Sequence, residues 1–361
     1  MRVAFVGQKG FPATYGGVEK VVDRVARGFA ARGHQCVVYS RRYYSDSPCD
    51  LANIEVRHIS GLRSKRLEAI SHTFVSLMDT LTQRVDIVAI HSFPNAILSW
   101  IPKLAGRKVA MHLHGFEWDS GKWNGLDKML LKAPVLGLKW FPDTITTVSS
   151  SQSSYLLDGH IPVNYIPNGI DAVDLDGDKY NSDSEYILFV GRLVPGKGVE
   201  YLISAFREAH LGNVSLFIVG EANNAPEYAG MLNDLAAGDG RIVFLGNKYG
   251  NELDAIYRGA RMIVIPSEME GHPMVLLEAL AFRKCIIASR IPPIESVAGN
   301  SVLYFKPRDS ADLANVLQHV FEGADVVKRA EENLSDDRLV REYNWERIID
   351  KYESLYESLL V

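Results

Sequence analysis

One feature limits the possible folds of this chain more than any other: short apolar runs alternate with stretches of helical periodicity, and the whole pattern occurs twice. In the first half, "RVAFVG" precedes a helical stretch from about Val18, with Val18, Val21, Val22, Val25 and Phe29 on one face. "CVVYS", "IEVRHI", "VDIVAI", "KVAMHL" and "TITTV" follow. In the second half, "YILFVG" precedes a helix over about Lys197 to Ala209, and "SLFIVG", "RIVFLG", "MIVIPS", "CIIASR" and "VLYF" follow. Short runs of this kind, separated by helices, signal strands of parallel sheets covered on both faces. The pattern predicts an α/β chain with two doubly wound parallel-sheet domains. The polar stretch "IPNGIDAVDLDGDKYNSDSEY" marks the seam. Residues 1–170 are assigned to an N-terminal domain and 171–342 to a C-terminal one. The closing "NWERIIDKYESLYESLL", about 343–361, reads as an amphipathic helix expected to pack back on the first domain. Ligands of such sheets sit beyond the carboxyl ends of the strands, so the loops after the strands should carry the chemistry, with the two domains facing across a cleft.

Composition narrows the function classes. A length of 361 residues is enough for two ordinary domains. Cys36, Cys49 and Cys285 are few, scattered and odd in number, which argues against a disulfide framework or a zinc site and for a reducing compartment. "MRVAFVG" enters a strand at once, leaving no room for a signal peptide, and no apolar run is long enough to span a bilayer. A cytoplasmic protein is expected. Its charge is uneven: residues 1–170 hold 20 Lys and Arg against 13 Asp and Glu, and residues 171–361 hold 19 against 31. The basic half suits an anionic partner better than it suits a chance distribution of surface charge.

Four loops stand out. "VGQKGFPATYGGVE" follows the first strand and places Gly16 and Gly17 before a helix, where bare backbone N–H groups can approach a phosphate. Its spacing is not that of the dinucleotide fingerprint. "VGRLVPGKGVE" sets Arg192 and Lys197 around a Pro-Gly turn at another helix start, a planar fork and a point charge for phosphate oxygens. It is not a P-loop, since Gly198 stands where Ser or Thr is required. "MHLHGFEW" puts His114 and Glu117 at the end of a strand, with His112 on the same side. In "EGHPMVLLEAL", Glu270 precedes a helix and Glu278 lies inside it, with Pro273 expected at the first helical position. The two acids would bracket a helix N-terminus, which suits a ligand with a phosphate between two hydroxyl-rich ends. "DLDGDKYNSDSE" approximates a calcium loop, but Lys179 occupies the position that needs glycine, and it is read as a solvated linker.

Taken together, these loops resemble the retaining glycosyltransferases of family 4, which have the GT-B fold of two Rossmann-like domains. "YGGVE", "GRLVPGKG", "IPNGI", "FLG", "PSEMEGHPMVLLEALA" and the closing helix fall in that family's order over nearly the whole chain. "GQKGFPATYGG" and "HGFEWDSGKWN" look like a bacterial polysaccharide subgroup that includes rhamnosyltransferases, although that motif usually begins Asp-Gly and here it begins His114-Gly115. The resemblance implies a nucleotide-diphosphate sugar as donor, no cofactor and no metal. Arg192, Lys197 and the backbone of Gly17 would meet the diphosphate, and Glu278 the ribose. Gly246, Asn247 and Lys248 would meet the base. Glu270 with Gly271, His272, Met274 and Val275 would hold the donor sugar, and His114 would orient sugar or acceptor. The family has "EGFG" where this chain has "EGHP", so His272 and Pro273 would alter which hydroxyl is read.

The implied acceptor is a glycan or lipid-linked sugar of bacterial cell-surface polysaccharide synthesis. A peripheral site on the inner face of the membrane fits Arg63, Lys65, Arg66, Lys122, Lys128, Lys132 and Lys139, with Trp123, Trp140 and Phe141 among them. Three other readings remain open: a sugar-nucleotide 2-epimerase, a sugar-nucleotide-binding subunit without activity, and an NAD-dependent dehydrogenase. No nucleic-acid signature is present.

Overall fold

The computed structural model describes residues 1–14, 16–44, 51–62, 67–115, 132–149, 161–222, 225–334 and 338–361. Glu117, Trp123 and the basic residues Arg63, Lys65, Arg66, Lys122 and Lys128 lie outside them. The chain forms two compact units, Met1–Gly169 with Trp345–Val361, and Ile170–Asn344.

The first unit is built on a seven-stranded sheet of β1 (Arg2–Val6), β2 (Gln35–Arg41), β3 (Ile54–Ile59), β4 (Ile87–His91), β5 (Lys108–Leu113), β6 (Thr144–Thr147) and β7 (Val163–Tyr165). Their order is β3-β2-β1-β4-β5-β6-β7, and every pairing is parallel. β1 and β4 are buried from end to end apart from Arg2, as strands covered on both faces must be. One face is packed through Leu77, Phe93, Ala96, Ile101 and Leu138, which come from the helical segments Glu68–Thr80, Phe93–Leu98, Trp100–Leu104 and Lys132–Trp140.

The C-terminal helix, Trp345–Leu360, belongs to this unit. It buries Ile348, Ile349, Tyr352 and Tyr356. Gly28 in the first helix, Gly17–Ala31, makes room for it: a Cβ there would stand 2.4 Å from Ile349 Cδ1. Arg32, just past the first helix, meets three carboxylates on the returning helix: Glu353 at 2.5 Å, Asp350 at 2.6 Å and Glu346 at 3.2 Å.

The second unit has a six-stranded sheet of β8 (Tyr186–Val190), β9 (Ser215–Val219), β10 (Ile242–Gly246), β11 (Met262–Ile265), β12 (Cys285–Ser289) and β13 (Leu303–Phe305). The order is β10-β9-β8-β11-β12-β13, again all parallel. Both sheets reverse their direction of winding once, between β1 and β4 and between β8 and β11. A doubly wound sheet opens a crevice for ligand at that switch point, beyond the carboxyl ends of the two strands.

Candidate active site

In the second unit, the two loops flanking the switch point are those after β8 and β11, which hold Arg192 to Lys197 and Glu270 to Pro273. They are fastened to each other. Glu268 N–H donates to Gly196 C=O at 2.9 Å. Gly198, with φ of 70°, lies so close to the second loop that a Cβ would be 2.0 Å from Pro266 O. Ser289 Oγ donates to Ser267 C=O, and Arg308 ion-pairs with Glu268 at 2.6 Å. The result is a rigid frame around one charged pair: Lys197 Nζ sits 2.5 Å from Glu270 Oε1, and Ser267 Oγ donates to the same oxygen at 2.7 Å. The Glu270 side chain is only 10% exposed and that of Lys197 22%, so the attraction acts in a medium of lowered dielectric. Arg192 is exposed, with no ion pair among the described residues.

The helix after this loop runs Met274–Ala281. Pro273 is not its first residue, as expected from sequence, but its cap: φ is −71° and ψ 114°, and its carbonyl accepts from Leu276 N–H at 3.1 Å. Proline fixes φ alone, and an extended ψ turns it into the residue that starts the helix from outside. Glu278 then stands in the second turn, where Tyr257 O–H donates to its Oε2 at 2.9 Å. Tyr257 is itself held in a 5.0 Å stack on Phe282. His272 is 6% exposed, its ring 5.6 Å from that of Tyr343, and burial lowers its pKa to about 4.

At the carboxyl ends of β8, β9 and β10, glycines let the backbone pack closely. Gly220 N–H donates to Gly246 C=O at 2.8 Å, and a Cβ on Gly220 would lie 1.8 Å from Gly191 O. Gly246 therefore turns the chain with φ of 67°, leaving Asn247 exposed and Lys248 paired with Glu252 at 2.5 Å.

In the first unit, the loop after β1 is pinned by its own side chains. Gln8 Nε2–H donates to the carbonyls of Phe5 and Tyr39 at 3.0 and 2.9 Å. Glu19 is buried in the first turn of the helix that Gly17 begins, and accepts Lys9 N–H at 2.9 Å. Gly16, with φ of 99°, leaves room for that carboxylate, since a Cβ would be 1.9 Å from Glu19 Oε2. Gly17 is exposed at the helix start.

Across the switch point stands a group that sequence reasoning missed in part. His91 ends β4, His112 pairs with it in register on β5, and His114 follows β5. The His91 ring stacks on both, with centroids 4.8 Å from His112 and 5.2 Å from His114. His91 Nδ1 is 2.9 Å from His114 Nε2. His112 Nδ1 and Nε2 reach Thr146 Oγ1 at 2.5 Å and Tyr356 OH at 2.6 Å, which ties β5 to the C-terminal helix. Burial keeps all three neutral: the pKa of His114 falls to about 4, that of His112 to about 3, and that of His91 well below its usual value. The signal for His91 was in the sequence, since "VDIVAIH" and "MHLH" each end an apolar strand in histidine; strand adjacency was not.

Among the described residues, one group has the makings of a metal site, His34, Glu353 and Glu357, and none of its members is a candidate site residue. In the linker, Arg258 donates to the carbonyls of Asp174 and Asp178 at 2.9 and 2.8 Å.

Two doubly wound units, each with its polar loops at the switch point of its sheet, place the chain in the GT-B class. Sucrose-phosphate synthase of Thermosynechococcus elongatus superposes with a TM-score of 0.81 at 20% identity, over 99% of this chain and 98% of that one. HepE of Anabaena, solved in complex with UDP and glucose, gives 0.80 at 16% identity over 99% and 100%. Sequence models specify the family: "Glycosyltransferase Family 4" matches residues 15–173 and "Glycosyl transferases group 1" matches 176–337. The chain belongs to glycosyltransferase family 4 and is a retaining hexosyltransferase. The O-antigen chain mannosyltransferase C of Escherichia coli is 24% identical over 389 residues, covering 100% of this chain and 99% of that one. The O-antigen chain mannosyltransferase RfbU of Salmonella typhimurium is 28% identical over 63% of this chain and 65% of its own. These relatives are named for mannose, which gives the rhamnose likeness of the sequence motifs no specific support.

Proposed function

We propose that this enzyme moves a hexose or deoxyhexose from a nucleotide-diphosphate sugar to a glycan or lipid-linked acceptor in bacterial cell-surface polysaccharide synthesis, without a metal ion. The observation that carries this reading is the frame around Lys197 and Glu270. A cation and a carboxylate are held on two fastened loops at the switch point of one sheet, with Arg192 exposed on the same loop as Lys197. Breaking a sugar–phosphate bond places negative charge on the leaving phosphate and positive charge on the sugar ring. Arg192 and Lys197 answer the first, and Glu270 the second. Gly17 brings backbone N–H groups to the diphosphate. Glu278, oriented by Tyr257, accepts from the ribose hydroxyls. The backbone of Gly246 to Lys248 meets the base, and Gly271, His272, Met274 and Val275 line the sugar. The acceptor hydroxyl attacks from the face the phosphate leaves, and the phosphate takes its proton, so configuration is retained without an enzyme nucleophile.

The test is a set of nucleotide-sugars, including UDP-glucose and a nucleotide-activated mannose, offered with lipid-linked glycans in the presence and absence of EDTA. The expected outcome is transfer with retained configuration that survives EDTA. An epimerised nucleotide-sugar with no transferred product, or complete loss of transfer restored by added metal, would count against the reading.

We propose further that the first unit docks reversibly on an anionic membrane. No helix among the described residues is long and apolar enough to cross one. The support is a set of large apolar side chains that stand exposed on the unit's helices: Phe74, Val75 and Met78 on Glu68–Thr80, Trp100 and Leu104 on Trp100–Leu104, Leu136 and Trp140 on Lys132–Trp140. Lys139 is exposed beside Trp140. Changing Lys122, Lys128 and Lys132 together to Glu should abolish sedimentation with phosphatidylserine vesicles. Equal pelleting of both proteins at low salt would overturn it.

A further inference from the structure

We propose that His91 is a positioning residue that fixes His114 as a hydrogen-bond donor and thereby denies it the role of a base. The inference rests on the reading that His114 faces the reacting sugars, and it adds which atom of its ring they meet and in which protonation form.

The 2.9 Å contact between His91 Nδ1 and His114 Nε2 contains one hydrogen. Both rings are neutral, so exactly one nitrogen of each carries a proton, and two arrangements exist. If His114 donates, His91 Nδ1 is an acceptor and its Nε2 carries the hydrogen. That Nε2 is buried without a hydrogen-bond partner among the described residues, in a residue only 2% exposed. Phe5, His112 and His114 stack on the ring at 6.2, 4.8 and 5.2 Å. An orphaned buried N–H is among the rarest defects in folded proteins, while an orphaned lone pair is tolerated more often. The alternative costs less: His91 Nδ1–H donates to His114 Nε2, and the orphan on His91 is a lone pair.

This arrangement decides His114. Its Nε2 lone pair is consumed by His91, so its one hydrogen sits on Nδ1. Of the three residues His114 alone is not fully buried, and in this form its ring has a single N–H to offer substrate. It has no lone pair left to take a proton from an acceptor hydroxyl. The proton of the incoming hydroxyl must therefore leave by another route, which agrees with its transfer to the departing phosphate. The strand geometry that sets this up is local. Gly7, with φ of 102°, passes so close to the end of β4 that a Cβ would be 2.3 Å from His91 O, and Asn95 Nδ2–H holds the same carbonyl at 2.7 Å. Both fix the backbone from which the imidazole projects.

The experiment reads the tautomer directly. Protein labelled with nitrogen-15 at histidine gives long-range nitrogen–proton correlations that distinguish a protonated Nδ1 from a protonated Nε2, with His114→Ala assigning the signal. The wild type should show His114 protonated at Nδ1, below and above neutral pH. His91→Phe keeps a stacking ring and removes the donor, and should move His114 to the Nε2-protonated form or to a mixture. His91→Asn places an amide N–H near the lost Nδ1–H and should restore the Nδ1 form. In the transfer assay, kcat should fall by about tenfold in His91→Phe with donor KM little changed, and recover in His91→Asn. An Nε2-protonated His114 in the wild type, or an unchanged tautomer in His91→Phe, overturns the proposal, and the wild-type spectrum decides even if that variant does not fold. Failure of the underlying reading is recognised separately: His114→Ala would then retain full activity whatever the tautomer.

Discussion

Beyond β1 and β4 of the first unit stand Gln8, the buried Glu19 and His91, with His114 one strand further on; beyond β8 and β11 of the second stand Arg192, Lys197 and Glu270. The scaffolds match strand for strand at the switch point, and the chemistry differs. The second unit arranges full charges over an apolar interior. The first buries His72, His91 and His112, together with Thr73, Ser76, Thr80, Asn95, Thr146 and Thr147, and half-buries His114. Charges suit a leaving diphosphate, whose charge changes during reaction. Neutral histidines in a polar interior suit the orientation of hydroxyls, which stay uncharged. The comparison teaches that a doubly wound sheet fixes where polar groups stand, while burial around the strand ends fixes whether they carry charge.

Acid should separate the two units most. The pKa values of His72 and His114 fall to about 4 and that of His112 to about 3, each from 6.5, chiefly through burial. A lowered folded pKa means that the unfolded chain takes up protons first as pH falls. Stability is therefore complete above pH 6.5 and is lost on descending toward the folded value. At pH 5 each such group costs about 2 kcal/mol. The first unit holds three of them besides His91, and the second holds only His272. Hydrogen exchange at pH 7 and pH 5 should show protection collapsing in residues 1–169 while residues 170–344 lose little. Equal loss in both would break the comparison.

Next in size is the charged pair. Lys197→Ala removes the cation proposed to meet the donor phosphate and leaves the Glu270 carboxylate without its ion-pair partner in a site where it is 10% exposed. Turnover should fall about a hundredfold, and thermal melting of the purified variant should be lower. Glu270→Gln should lower kcat while leaving a lysine that water can reach. Turnover within threefold of wild type in Lys197→Ala would show that the second unit does not work through charge.

A smaller effect is expected at Glu278, the acid proposed to meet the ribose. Glu278→Gln should raise donor KM by about tenfold, the worth of one charge-assisted hydrogen bond, and Tyr257→Phe by about threefold, because it removes only the bond that orients the acid. Titration calorimetry with the nucleotide diphosphate checks both. A larger loss in Tyr257→Phe than in Glu278→Gln would reverse their roles. The smallest effect belongs to the returning helix. Arg32→Ala breaks three contacts with carboxylates, two of them well exposed, and should lower stability by about 1 kcal/mol in a urea melt, with less effect at high salt.

The chain's own pattern determined a good deal. Continuous apolar runs such as "RVAFV" and "YILFV" can only be satisfied between two helical layers, so parallel sheets followed from hydrophobicity alone. Glycines in "YGGVE" announced close backbone approach, because an absent side chain lets backbone N–H groups come near a ligand. Cations and acids after strand ends could be found by reading along the chain, since β8 and β11 each lead directly into them. What the sequence could not give was anything that depends on which strands are neighbours. His91 and His114 are separated by a strand and its connection, and only the adjacency of β4 and β5 stacks them. Tyr257 reaches Glu278, and Tyr356 reaches His112, across gaps that no periodicity spans. The ψ of Pro273 was also undecided, because the proline ring restrains φ and leaves ψ to the loop around it. Local propensity acts on neighbours in sequence, whereas tautomers, pKa values and ion pairs depend on neighbours in space, and those were set only when the sheets closed around them.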